Sequence, residues 1–246
     1  MHRDDADPKG PDMHDHSPKA IADRLAAQRL PSRLKDAVLG GIDGAVTTLA
    51  IVAGVEGAGL SSNVVVVLGI ANVLADGFSM AAGNFAGTRA EAEDVDRLRA
   101  VEEDHIRRAP EGEREELRQI LNQKGLTGQN LEDAVRAISS HRDVWVDYML
   151  VEEYGVSPSK SLPLRGAIAT FLAFLAAGLV PLLPFIFGMD NAFLVSILMT
   201  LTVFCAIGAI RSRWSLRAWW WTSWETLLIG SVAATIAYAV GSLFHP

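Results

Sequence analysis

DAVLGGIDGAVTTLAIVAG (36–54) and ANVLADGFSMAAGNFAGTRAE (71–91) are apolar enough to enter a bilayer, yet the first carries Asp43 and the second Asp76. A carboxylate at the centre of a membrane helix costs roughly 2.5–3.5 kcal/mol on insertion scales, so it lines an ion path or faces protein rather than lipid. In the second stretch Asn72, Asp76, Met80 and Asn84 recur every four residues. At 100° per residue they drift by only about 40° per step and form one slowly winding face. The first stretch offers a matching face of Asp36, Gly40, Asp43 and Thr47, and its Gly40 and Gly44 have the small-xxx-small spacing that lets a neighbouring helix approach closely. Carboxylate oxygen beside a thioether suits a transition-metal dication better than magnesium or calcium, which prefer all-oxygen shells. A helix–helix hydrogen-bond network with Asp76 protonated is the competing explanation, and for Asn72 and Asn84 it stands level with the first.

Working outward, the 246 residues divide sharply. Residues 1–35 and 89–162 are polar and charged, while 37–88 and 164–244 are almost free of charge. About 20 apolar residues cross a ~30 Å hydrocarbon core. Five stretches satisfy this, near 37–57, 63–88, 164–187, 191–210 and 219–243, with Gly188–Asn191 as a tight turn. Arg24, Arg29, Arg33 and Lys35 precede the first; Arg89, Arg97 and Arg99 follow the second. Lys160 and Arg165 precede the third, and Arg211, Arg213 and Arg217 lie between the fourth and fifth. The opposite loops and the C-terminal end have no Lys or Arg. The positive-inside rule then predicts a cytoplasmic N-terminus, a cytoplasmic 89–162 segment and an outside C-terminus. The expected fold is an all-α integral membrane protein with five transmembrane helices and a cytoplasmic helical metal-binding insertion between spans 2 and 3. Its divisions are a disordered cytoplasmic tail (1–32), spans 1 and 2 (33–88), the insertion (89–162) and spans 3 to 5 (163–246).

A net charge of −7 argues against nucleic acid as a partner. The single Cys205 excludes a disulfide within the chain and a thiolate cluster. The first residues, MHRDDADPKGPDMHDHSPK, lack the basic-then-apolar order of a cleaved signal, and His2, His14 and His16 there read as solvated, with loose metal pickup as the alternative. Trp214, Trp219, Trp220, Trp221 and Trp224 read as an interfacial belt. Glu225, the remaining intramembrane acid, reads as snorkelling or paired with Arg217, with a transport role as the alternative. No internal repeat supports an inverted-repeat architecture. Neither an enzymatic centre nor a prosthetic group is expected.

The insertion reads as helices: one continuing unbroken from the second span to about 108, then about 111–123, 129–140 and 141–154. Thr127 or Asn130 is available as an N-cap. Glu102 and His105 are three apart, as are Glu113 and Glu116, and Met149 lies four before Glu153, so each pair shares a helix face. Together they supply carboxylates, an imidazole and a thioether, a set suited to Fe²⁺, Mn²⁺, Co²⁺ or Zn²⁺. The alternative is a solvated face on which Arg107, Arg108, Arg114 and Arg118 pair with these acids. Glu102-x-x-His105 is half of a di-iron carboxylate motif, but the second Glu-x-x-His is missing.

The blocks 36–54 and 71–91, the five-span layout and the acidic helical insertion resemble the vacuolar iron transporter family across roughly residues 33–244. The resemblance implies a homodimer that moves Fe²⁺, and often Mn²⁺ or related dications, out of the cytosol in exchange for protons. It implies Asp43 and Met80 in the intramembrane path and Asp36 near its cytoplasmic mouth, with Asp76 and Asn72 on the same stripe. It implies Glu102, Glu113, Glu116, Met149 and Glu153 as ligands of a cytoplasmic metal-collecting domain. Better-known eukaryotic members have glutamate where this chain has Asn72, which removes a proton acceptor that Asp76 can replace. The family also has glutamate at the position of His105; imidazole shifts preference towards Zn²⁺, Co²⁺ or Ni²⁺. The membrane is a bacterial plasma membrane or a eukaryotic organelle. An uncoupled channel with an acidic vestibule and a membrane-anchored metal buffer or sensor are the other classes this sequence admits.

Overall fold

The computed structural model describes residues 15–26, 33–158, 162–212 and 218–244, with side chains omitted at 24–26. The described residues form helices joined by turns and short loops, with no strand among them. Helix α1 (Pro18–Ala26) belongs to a separate unit, residues 1–32. The sequence reading left this region without structure, and α1 corrects that over nine residues. The physical reason is local: Ser17 Oγ accepts the Ala20 amide at 3.3 Å, and alanine, leucine and arginine, good helix formers, follow Pro18. His2 and His14 lie outside the described residues.

The other unit, residues 33–246, holds five helices long and apolar enough to cross a membrane. They are α2 (Leu34–Gly57), the first part of α3 (Ser62–Arg108), Pro163–Ile186, α9 (Ala192–Ser212) and α10 (Trp219–Ser242). Helix α2 is the central post and packs against α7 (Pro163–Gly178), α10, α3 and α9. Its glycines explain the closest of these contacts. A Cβ on Gly40 would stand 2.3 Å from the Thr170 carbonyl oxygen, and one on Gly44 2.4 Å from that of Phe174. The Gly40-xxx-Gly44 spacing thus seats α7 of the same chain, backbone against backbone.

The third span is broken. Helix α7 ends at Gly178, a 3₁₀ turn covers Val180–Leu182, and α8 (Leu183–Ile186) resumes. Pro181 and Pro184 lack the N–H an α-helix needs, so the hydrogen-bond ladder breaks there. The Pro181 carbonyl is recovered by the buried hydroxyl of Ser196 on α9 at 2.7 Å. The turn after α8 uses positive φ at Gly188 (59°) and Asn191 (54°), both residue types that tolerate it.

Helix α3 runs for 47 residues, about 70 Å at 1.5 Å per residue. Its continuation past residue 88 joins α4 (Pro110–Gln123), α5 (Gly128–Ser139) and α6 (Arg142–Glu152). Thr127 occupies the α5 N-cap but makes no side-chain capping bond. Ile106, Leu117, Leu121, Leu131, Val135, Trp145, Val146, Met149 and Leu150 form a core of their own. Ion pairs fasten the helices: Arg99 to Asp147, Arg118 to Glu132 at 2.8 Å, and Lys124 to Glu152 at 2.7 Å. Trp219, Trp220, Trp221 and Trp224 at the start of α10 are exposed, Trp220 and Trp221 stacking at 4.8 Å. Trp214, Arg213 and Arg217 lie outside the described residues; Glu225 pairs with Arg211 at 3.2 Å.

Candidate functional site

Two groups of side chains come together on α3, one at each end. In the membrane part α2 and α3 run antiparallel, so residues ascending one meet residues descending the other. Asn84 Nδ2 donates to Asp36 Oδ1 at 2.8 Å, and two turns further in the Asp43 and Asp76 carboxylates interact electrostatically. Met80 lies between these levels by register, half-buried, as are Asp36, Asp43 and Asn72. Thr47 turns its hydroxyl back to the Asp43 carbonyl at 2.9 Å. The Asn72 amide nitrogen is buried without an acceptor. Asp76 is exposed on the outer face of α3. The faces expected from periodicity thus meet at Asn84 and Asp36, while Asp76 lies on the outer side of α3. Thr170 of α7 was missed: its hydroxyl accepts from Asn84 Nδ2 at 3.1 Å. The only local hint is that Gly166 and Thr170 are a small and a polar residue four apart in an apolar span.

At the other end, the inward faces of α3, α4 and α6 gather Glu102, Glu113, Glu116 and Glu153 around His105. Glu102 is fully buried and neither of its carboxylate oxygens has a hydrogen-bond partner; the same holds for Glu113 Oε2. The His105 Nδ1 atom lies 3.6 Å from Glu113 Oε1 and 3.9 Å from Glu102 Oε2. Burial, reinforced by the charges of Glu113, Glu153 and Glu116, pushes the Glu102 carboxyl up to about 8. Glu113 is raised by burial and by Glu116, against a lowering by His105. Glu153 is raised by burial and by Glu116 and Glu113.

The arginines expected on a solvated face pair with other acids. Arg107 and Arg108 pair with Asp104, Arg114 with Glu111, and Arg118 with Glu115 and Glu132. Among the described residues no Lys or Arg pairs with Glu102, Glu113, Glu116 or Glu153. Buried carboxylates without a cation or hydrogen-bond donor are costly for stability alone. Met149 is fully buried in the apolar core beside them, so its thioether also packs as a core side chain. No three His, Cys, Asp or Glu side chains among the described residues close on a single point.

Compared with known proteins, the chain matches the VIT family over residues 34–242. It is 30% identical over 210 residues to a vacuolar iron transporter 1 of Oryza sativa subsp. japonica, covering 84% of this chain and 83% of that one. It is 32% identical over 224 residues to a vacuolar iron transporter of Toxoplasma gondii, covering 86% and 74%. With a vacuolar iron transporter 1 of Arabidopsis thaliana it shares 28% over 214 residues, 85% of each chain. The match spans all five apolar helices and the insertion, and the chain belongs to the VIT family, whose members here are transporters rather than enzymes.

Proposed function

We propose that this protein exports Fe²⁺ from the cytosol in exchange for protons, with Mn²⁺, Co²⁺ and Zn²⁺ as further cargo. The observation that carries the reading is the cluster of four glutamates and an imidazole without a neutralising Lys or Arg. Two of its members, Glu102 and His105, lie on the same unbroken helix whose membrane part bears Asp76 and Met80. In this reading 89–162 is a cytoplasmic domain that collects metal, and Asp36, Asp43 and Met80 form the path, with Asp76 and Asn72 beside it. The Lys/Arg distribution supports a cytoplasmic N-terminus and an outside C-terminus. A carboxyl held protonated by burial releases its proton when a dication replaces it, which supplies the coupling. The exposed Asp76 supports a homodimer, because lipid is a poor cover for a carboxylate. The iron named in the relatives supports the cargo.

Anaerobic Fe²⁺ flux into proteoliposomes with clamped voltage and an imposed pH gradient tests this. Flux should follow the gradient in wild type and vanish in Asp43→Ala. Flux indifferent to the gradient would make the protein an uncoupled channel. Metal bound without flux, for Fe²⁺ and Mn²⁺ alike, would make it a buffer or sensor.

A further inference from the structure

At the end of the bundle bearing Arg33, Lys35, Arg89 and Arg165, three helices are tied together through one carboxylate. Asn84 of α3 spends its amide hydrogens on Asp36 Oδ1 of α2 (2.8 Å) and on Thr170 Oγ1 of α7 (3.1 Å). The Thr170 hydroxyl, fully buried, passes its own hydrogen to the Asp36 main-chain carbonyl at 3.4 Å. Thr88, one turn beyond Asn84, donates to Asn84 Oδ1 at 3.4 Å. Every donor direction in this chain is fixed, because an amide nitrogen only donates and a carbonyl only accepts. Asp36 Oδ1 is therefore held as an acceptor from one defined direction.

The second oxygen is treated differently. Asp36 Oδ2 receives no hydrogen bond from the described residues and faces buried Gly166 of α7, where a Cβ would stand 3.0 Å away. The same Cβ would lie 3.1 Å from Asn84 Oδ1. Any side chain at 166 would crowd the one oxygen the network leaves uncommitted.

Resting on the transport reading above, we propose that Asn84 and Thr170 are positioning residues that aim Asp36 Oδ2 at incoming metal, with Gly166 keeping that oxygen clear. The node also has a place in the architecture. Helices α3 and α7 are the two ends from which the insertion departs, and both grip the same aspartate of α2. A movement of the insertion relative to the bundle thus reaches Asp36 directly.

A merely structural role, three helices glued by hydrogen bonds, predicts something else, and transport kinetics separate the two. Thr170→Val keeps volume and removes the hydroxyl; Thr170→Ser keeps the hydroxyl; Gly166→Ala crowds Oδ2 while removing no hydrogen bond. In proteoliposomes carrying Fe²⁺, Thr170→Val and Gly166→Ala should each raise the half-saturating concentration about two- to tenfold, the range expected when a neutral hydrogen bond is lost or a ligand oxygen misaligned, with Vmax changed less than about twofold. Thr170→Ser should restore the wild-type value. In an Asp36→Asn background, Thr170→Val should add nothing. The proposal is overturned if Thr170→Val transports like wild type while Asp36→Asn is impaired, or if Thr170→Val and Asp36→Asn are additive. Lowered Vmax and thermal stability that Thr170→Ser does not restore would assign the node to structure alone. Impairment by Asp36→Asn with wild-type flux intact leaves the transport reading standing whatever Thr170 does, whereas absence of wild-type flux removes both.

Discussion

Glu102 is the side chain on which the proposed exchange of metal for proton bears most directly. It is fully buried, accepts no hydrogen bond, and is pushed up to about 8 by burial and by its acidic neighbours. A carboxyl whose folded value lies above its ordinary 4.5 binds more protons folded than unfolded through that interval. Its contribution to stability is complete below about 4.5 and is lost as pH rises through about 8. Glu113 and Glu153 shift in the same direction. Protection factors of α4 to α6 in the metal-free protein, corrected for the intrinsic pH dependence of amide exchange, should therefore fall steadily from pH 5 to pH 8.5, and Glu102→Gln should flatten most of that slope. Added Fe²⁺ should restore protection at pH 8.5 in wild type and release protons measurable by calorimetry in two buffers. In Glu102→Gln, affinity should drop by at least the ten- to hundredfold that losing even a supporting group costs a metal site. A slope unchanged by Glu102→Gln would show that another group sets it. The candidate acids were legible one by one in the sequence, as i,i+3 pairs on acidic helices. Their lack of counterions was not, because it depends on Arg107, Arg114 and Arg118 each choosing a different acid from those at the site.

Among the elements, α3 is the one that unites membrane and insertion. Its continuity was legible because no proline interrupts the chain before Pro110, and a good helix continues until something stops it. The third span was read as one helix, although Pro181 and Pro184 were in plain view; the break follows from their missing amides. The partner of Gly40 and Gly44 was beyond reach for another reason: the spacing announces a close neighbour but carries no information on which helix it is, and here it is α7. If the insertion hands metal to the path, that transfer depends on α3 staying rigid. Ala90→Pro with Glu91→Gly, both exposed positions, should kink α3 below the membrane part while the core around Leu117 and Leu150 still assembles. Flux at saturating Fe²⁺ should persist and the half-saturating concentration should rise severalfold, as it should on deleting 93–157. Unchanged flux at low metal in both variants, with the kinked protein still protected in α4 to α6, would remove the delivery role.

For the whole molecule, the exposed face of α3 requires a cover. Ala71, Ala75, Asp76, Ser79, Gly83 and Gly87 are all exposed there, and a Cβ on Gly83 or Gly87 would meet nothing within 4 Å. Exposed side chains elsewhere on the apolar helices include Leu194, Leu198 and Ile236, which lipid solvates well. Asp76 differs: facing hydrocarbon it costs roughly 2.5–3.5 kcal/mol, which a second copy removes by enclosing it. Small residues at i, i+4 spacing let two such faces approach closely, and a two-fold axis brings equivalent residues together. In the proposed homodimer the two Asp76 side chains and their neighbouring Asp43 groups would converge from both subunits on one enclosed path. Ala75→Trp or Gly83→Trp should separate the subunits in bilayers, read as a shift from two-step to one-step photobleaching, and should abolish flux. Leu198→Trp, on the exposed face of α9, should change neither. One-step bleaching with flux retained would show that a single chain carries a complete path. Two-step bleaching in Ala75→Trp and Gly83→Trp alike would move the interface off this face of α3.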